Sequence, residues 1–474
     1  MNDSMRVVAS AAATMVVLAA SPALPVEHHV GPGQPLAEVE DVPWESLTAG
    51  DVVAIHARPD PYRAKWVICA RGTAERPIVV KGVADTAGRL PRIDGADATT
   101  RRAIDFWGEE RSVVKIGGAN RPADLMPAHI VIESLDITGG RPPHAFTGRR
   151  GRTAYERNAA AVFVEKGEAI TIRGCVLRGC GNGLFVSPQS QRVTVEGCHI
   201  HGNGNEGSIL EHNTYTQARS IDYRFNRFGP LRAGCLGNNL KDRSAETIVR
   251  FNWIEGGNRA LDLVDGAWAE DPAGPPPQRT IVMGNVLVKL DGPGNNQVVH
   301  YGGDSGRLEH YRSAPLWFVH NTVVSFRAGS TTLLRLSSAQ QQAECQGNIV
   351  STSAAARSLG ILDGDGVVTL RDNWLGAGWR ESLSKGSGRV IVAARGPAGN
   401  GPGFMDVAAG DYRLAPTSPC AGIASPLPQG LFAPEIGAAD RPAADAAHVP
   451  FRGDAAFTDV GALPVAGPGP GGDR

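Results

Sequence analysis

The chain has 474 residues, room for two or three average domains or for one elongated repeat domain. Its 59 Gly, 33 Pro and 6% aromatic content, with no apolar run at helical spacing, exclude a helical protein and favour many short strands and tight turns. A formal net charge of -1 gives no global attraction for nucleic acid.

At the N-terminus Arg6 precedes an apolar run from Val7 to Ala20, and Ser21-Pro22-Ala23 offers small residues for cleavage. Residues 1–23 therefore read as a secretory signal, with Met5 as an alternative start. The run is short for a membrane span. The mature protein is expected to be secreted or periplasmic, with no membrane span, and monomeric. Seven cysteines leave at least one unpaired. Cys175 and Cys198 occupy the same point of consecutive repeats, ITIRGCVLRG and VTVEGCHIHG. Strands stacked about 4.8 Å apart bring such a pair within disulfide range. Two small buried thiols stacked without a bond fit the same spacing.

Residues 24–440 read as one solenoid. The segment from Pro43 to Gly95 alternates apolar and polar residues and supplies the opening coils. A unit of strand, then Asn or Cys, then apolar residues and a turn recurs with centres at Leu135, Cys175, Cys198, Asn226, Asn252, Asn285, Asn321, Asn348 and Asn373. The intervals are 40, 23, 28, 26, 33, 36, 27 and 25, a floor in the low twenties with irregular additions. Coils of three short strands plus turns give that floor, so the fold class expected is all-β, a single right-handed parallel β-helix with loop insertions and short capping segments. The six asparagines are expected to stack as an amide ladder inside a turn. Excess length marks three loops, Arg141–Asn158, Ala267–Arg279 and Gly302–Pro315, on the face expected to bind. Residues 441–464 read as a closing segment over the open end of the solenoid, and 465–474 as a disordered tail.

The chemistry concentrates in Cys235–Gly266, where the polar positions of short strands are mostly ionisable. Alternation places Leu240, Leu261, Leu263 and Val299 inward and Lys241, Asp262 and His300 outward, rung above rung. His212 and Tyr215 fall on the preceding rung. Between His129 and Ala260 there are 17 Lys plus Arg against 12 Asp plus Glu, a local excess that suits an anionic polymer. An exposed Lys241–Asp262 cross-rung ion pair is the plain structural alternative.

The opening PWESLTAGDVVAIHA with GTAERPIVVKGV, the Asn-punctuated coils and the closing GDYRLAPTSPC with EIGA resemble secreted right-handed parallel β-helix proteins of the pectate-lyase-like class, many of which degrade polysaccharides. Within that class NLKDRSAETIVRFNWIEGGNRALDLVDG is similar to the core of polysaccharide lyase family six, the alginate and chondroitin lyases. The resemblance implies a Lys base, an Arg acid on the next coil, and calcium held by carboxylates against a uronate. Lys241 takes the place of the base, whereas the family's Arg-His falls on Val264-Asp265. The acid then comes from Arg243, Arg259, His300 or Tyr301, or the chemistry differs.

Abstraction of a proton α to a uronate carboxylate requires that charge to be neutralised, a base, and an acid for the leaving oxygen. The candidate catalytic residues are Lys241, Arg243, His212, Tyr215, His300 and Tyr301. Arg150, Arg219, Arg259 and Arg312 are candidates for gripping substrate, and Asp262, Asp265, Glu211 and Asp242 for a Ca2+ ion. The activity expected is a lyase cleaving an anionic uronate polysaccharide by β-elimination. A glycoside hydrolase using Asp242, Asp262 and Asp265, a non-catalytic carbohydrate-binding solenoid, and an epimerase are the alternatives.

Overall fold

The computed structural model describes residues 24–266, 277–292, 294–353, 358–427, 431, 459–463 and 465–466. The expected signal, most of the loop Ala267–Arg279, most of the closing segment and most of the tail lie outside them.

Three parallel sheets wind into a solenoid. One coil shows the plan. Glu246–Arg250 lies in the first sheet, Trp253–Glu255 in the second and Leu261–Val264 in the third, after which Arg279–Met283 re-enters the first. Each strand pairs in parallel with its counterpart one coil on, as Leu240–Asp242 does with Leu261–Leu263. The two longest strands, Ala160–Arg173 and Asn182–Glu196, run through the corner from the third sheet into the first.

Period-2 alternation fills the interior. In the third sheet Val162, Leu184, Leu240, Leu261, Val299 and Leu334 form one inward column, and all six are fully buried. Removing such stacked side chains from water is the main stabilising term, at about 1.5–3 kcal/mol for each large apolar residue.

The turn into the second sheet repeats from coil to coil. The residue before each repeat centre adopts the left-handed conformation, from Gly197 at φ 59° through Phe225 at 57° and Phe251 at 56° to His320 at 49°. Glycine enters that region without strain and the other residues at a cost of about 1–2 kcal/mol. The following asparagine compensates. Asn252 Oδ1 accepts from the backbone and side-chain amides of Asn226 at 2.9 Å each, and Asn285, Asn321, Asn348 and Asn373 continue the ladder. The ladder predicted from sequence is present.

Cys175 and Cys198 are free thiols, each hydrogen-bonded to backbone carbonyls of its own and the preceding coil. The hairpin Phe404–Asp406 and Asp411–Leu414 lies along the side of the solenoid. Its Tyr412, with Phe404, docks on the outward Trp253, Val286, Val288 and Val324 of the second sheet, alongside Ala462 and Leu463. The apolar residues on that outer face create a lateral docking surface, which is why the closing strands lie along the side. Val465, expected in the disordered tail, pairs with Leu414. Among the described residues no helix is long and apolar enough to cross a membrane.

Candidate functional site

Register in the third sheet stacks Phe163, Phe185, Tyr215, Lys241, Asp262, His300, Arg335 and Asp363 in one outward column. The three residues central to the sequence reading stand on consecutive rungs. They are not open to solvent, however: Lys241 is 8%, Asp262 1% and His300 4% exposed. Their mutual ion pairs and the loop Gly302–Pro315 cover them. Gly303 lets that loop fold tightly on itself, because a Cβ there would meet the Tyr311 ring at 2.0 Å.

Lys241 Nζ lies 2.7 Å from Asp262 Oδ2 and 2.5 Å from Asp304 Oδ2. The other oxygen of Asp304 lies 2.7 Å from Arg243 Nη2, and Arg243 Nη1 pairs with Asp265 Oδ2 at 2.7 Å. Asp262 Oδ1 accepts from His300 Nδ1 at 2.8 Å, with Arg259 Nη1 3.5 Å away. Burial lowers the Lys241 pKa, but Asp262 and Asp304 more than offset it and leave it raised. Burial raises that of Asp262, yet the His300 hydrogen bond and Lys241 hold it well below the usual carboxylate range. Asp304 is likewise depressed against burial, by its hydrogen bond with Asp265 and by Lys241. At neutral pH the site is a closed network of fixed charges.

Several candidate residues fall elsewhere or in other states. Asp242 and Tyr301 point inward, as the alternation that turns Lys241 outward requires. Asp242 is fully buried and accepts from Thr216, Ser244, Thr247 and Arg312. Arg312 reaches into the interior to meet it at 2.7 Å and is 1% exposed, so neither touches substrate. The Tyr301 hydroxyl is spent on the Ala314 carbonyl. His212 precedes the strand Thr214–Thr216, and its Nδ1 accepts from the Asn238 amide at 2.9 Å. Burial and then Lys241 push its pKa down to about 3, so it stays neutral and is a weak base. His300 is also neutral, burial outweighing Asp262, and its Nε2 faces Ser337 Oγ at 2.8 Å. The Lys241 pKa, raised by Asp262 and Asp304, does not favour its expected role as base.

Arg259 sits beside the column, bonded to Gln297. Arg150 lies at the tip of the hairpin Ala145–Gly148 and Gly151–Ala154, away from the column and beside the exposed Trp107. Arg219 sits at the corner between Thr214–Thr216 and Ser220–Arg224. The four carboxylates named for calcium do not converge. Asp242 is saturated inside, Asp262 and Asp265 each face a cation of the chain, and Glu211 has Arg157 3.8 Å away. Among the described residues no group of three His, Cys, Asp or Glu side chains is disposed to hold a metal.

Sequence reasoning missed Asp304 and the aromatic end of the column. Phe185 stacks on Tyr215 at 5.1 Å, Phe163 meets Phe185 edge-on at 5.1 Å, and the Arg111 guanidinium stands 4.9 Å from the Phe163 ring centre. Extending the outward column two rungs below Tyr215 would have found both phenylalanines.

Residues 132–267, which carry Tyr215, Lys241, Asp262 and Asp265, match the family model described as the right-handed β-helix region. The fold is a right-handed parallel β-helix. Among solved structures this β-helix is similar to pectate lyase Pel9A at 11% identity, covering 94% of this chain and 97% of that one with a TM-score of 0.43. It is also similar to the lacto-N-biosidase of Eubacterium ramulus, at 12% identity, 77% and 68% coverage and a TM-score of 0.37. The alginate lyase of Paenibacillus sp. str. FPU-7 follows at 12% identity, 73% and 93% coverage and a TM-score of 0.32. No curated protein matches the sequence.

Proposed function

We propose that this β-helix is a lyase that cleaves a uronate-containing polysaccharide by β-elimination on the Tyr215–Lys241–Asp262 column. One observation carries the reading. The Asp304 carboxylate bridges Lys241 and Arg243 at 2.5 and 2.7 Å, the geometry in which two cations grip a carboxylate. Asp304 belongs to a loop and its side chain is 32% exposed, so a uronate carboxylate can exchange for it without changing the charge of the site.

In that seat Lys241 and Arg243 neutralise the substrate carboxylate and acidify the adjacent C–H. Tyr215 is the outward residue one rung away and half-buried, with the Arg243 guanidinium 6.0 Å from its ring centre. Tyr215 Oη relays the proton: the C5–H bond breaks, C4=C5 forms as the C4–O bond breaks, and the leaving oxygen gains the proton. Asp262, oriented by His300, holds Lys241 in place. A polymer substrate is met outside the cell, in keeping with the export signal read in residues 1–23.

A hydrolase remains a second reading because of one contact. Asp265, whose pKa is raised by burial and by Asp304, lies against Asp304, whose pKa is lowered. Neighbouring carboxylates whose pKa values are driven in opposite directions suit acid and base roles.

Incubation with a panel of uronate polymers separates the readings. The lyase produces the ultraviolet absorbance of an unsaturated uronate, and Lys241→Ala and Tyr215→Phe each lower it at least about 100-fold. New reducing ends without that absorbance would favour the hydrolase. An undiminished Tyr215→Phe enzyme would remove the base assigned above.

A further inference from the structure

The outward column is closed at one end and open at the other. Beyond Phe163 the next residue in register is Lys115, which is fully buried although it points away from the core. The segment joining the antiparallel strands Asp105–Phe106 and Ala119–Arg121 to their neighbours crosses over it. Lys115 Nζ donates to the carbonyls of Trp107 and Gly118 in that crossing and pairs with Glu165 at 2.5 Å. Lifting the crossing would strand a buried ammonium, so it is held down. Gly118 permits the close approach: its φ is 77°, and a Cβ there would meet the Glu165 carboxylate at 2.6 Å. Lys166 adds a second tie, its Nζ 5.5 Å from the Trp107 ring centre and 2.8 Å from Asp124.

The closure reaches one rung further. Arg111 lies over Phe163 and Phe185, its guanidinium 4.9 and 5.2 Å from their ring centres, and Phe163 is left only 2% exposed. Glu156, 3.8 Å from Arg111, walls the cleft of about 570 Å3 beside Phe185 and Tyr215. From Lys241 toward this wall only Tyr215 and Phe185 are half-buried, which leaves two rungs, about 10 Å. In the other direction the column runs through Arg335 and Asp363, both half-buried, to the exposed Arg380 and Glu381 of the next strand.

We propose that the column is a blind track, so that the protein works from a chain end. A polymer enters from the Asp363 side, its terminus stops against Arg111 and the Trp107–Gly118 crossing, and the bond beside the seat at Lys241 and Arg243 is the one that breaks. Cleavage in the middle of a chain needs a groove open at both ends. Here the distance from seat to wall fixes the length of the piece released, and Arg111 is the residue that sets it. The proposal rests on the lyase reading for the place of the reacting bond. The wall itself stands on Lys115, Gly118 and Arg111.

The test is product analysis with the full-length protein on the panel of uronate polymers. Products are sized by mass spectrometry from the earliest time points, with viscosity followed beside the unsaturated-uronate absorbance. One short unsaturated product is expected from the start, with viscosity falling slowly as absorbance rises. Arg111→Ala, which uncovers the Phe163 rung, should shift that product to a greater length with an unchanged melting temperature. A broad spread of unsaturated products with early collapse of viscosity overturns the blind track and leaves the lyase reading standing. An unchanged product size in Arg111→Ala overturns the wall assigned here. A single short product with new reducing ends but no absorbance keeps the blind track and ends the lyase reading, whereas no cleavage overturns both.

Discussion

Asp304 sets the electrostatics of the column from outside the sheet. Its carboxylate is half of the clamp that raises the Lys241 pKa, and it occupies the seat assigned to substrate. Asp304→Ala removes an intramolecular competitor, so the KM for a uronate polymer should fall several-fold in steady-state assays. A rise in KM would mean that Asp304 itself contacts substrate. His212 makes a prediction about stability instead. Its folded pKa, about 3, lies below the ordinary value of 6.5, so the unfolded chain binds the extra proton between them. Its contribution is fully present above about pH 6.5 and is lost as pH falls toward 3, at up to roughly 1.4 kcal/mol per unit. Denaturant unfolding at pH 7 and pH 4.5 should therefore show a marked loss that His212→Gln reduces. Equal stabilities at the two values would contradict the buried neutral state.

At the scale of the strand, alternation decides which ionisable groups are available for chemistry. Leu240–Asp242 turns Lys241 outward and Asp242 inward, where Arg312 meets it across the corner to Thr247 and Thr280. Breaking a buried pair strands a charge. Arg312→Met should cost about 3–5 kcal/mol in urea unfolding, and adding Asp242→Leu should recover much of it. Additive losses would show that the pair is not coupled. The solenoid and its Asn ladder were legible because period-2 alternation and a repeating turn are local signals. The outward positions of Lys241, Asp262 and His300 were legible for the same reason. Asp242 and Tyr301 were misassigned as site residues although the same parity turns them inward. His212 was placed on a strand that begins only at Thr214, and Asp304 was overlooked because a loop carries no period to say where its side chains land.

Across the whole molecule, the outward column from Phe163 to Asp363 crosses seven rung intervals, about 34 Å of the third sheet. One end is aromatic, the middle cationic and anionic in close pairs, and the far end carries Arg335 and Asp363, 3.5 Å apart. The C-terminal hairpin leaves this face untouched by docking on the second sheet. The lyase proposed above requires an extended polymer to run along this column, displacing Asp304 where the loop Gly302–Pro315 covers its middle. The most direct measurement of that claim is a crystal structure of the Tyr215→Phe protein with a uronate oligosaccharide bound. A sugar carboxylate should lie between Lys241 Nζ and Arg243 Nη2, with Asp304 displaced. An intact Asp304 bridge with the sugar bound elsewhere would contradict the account.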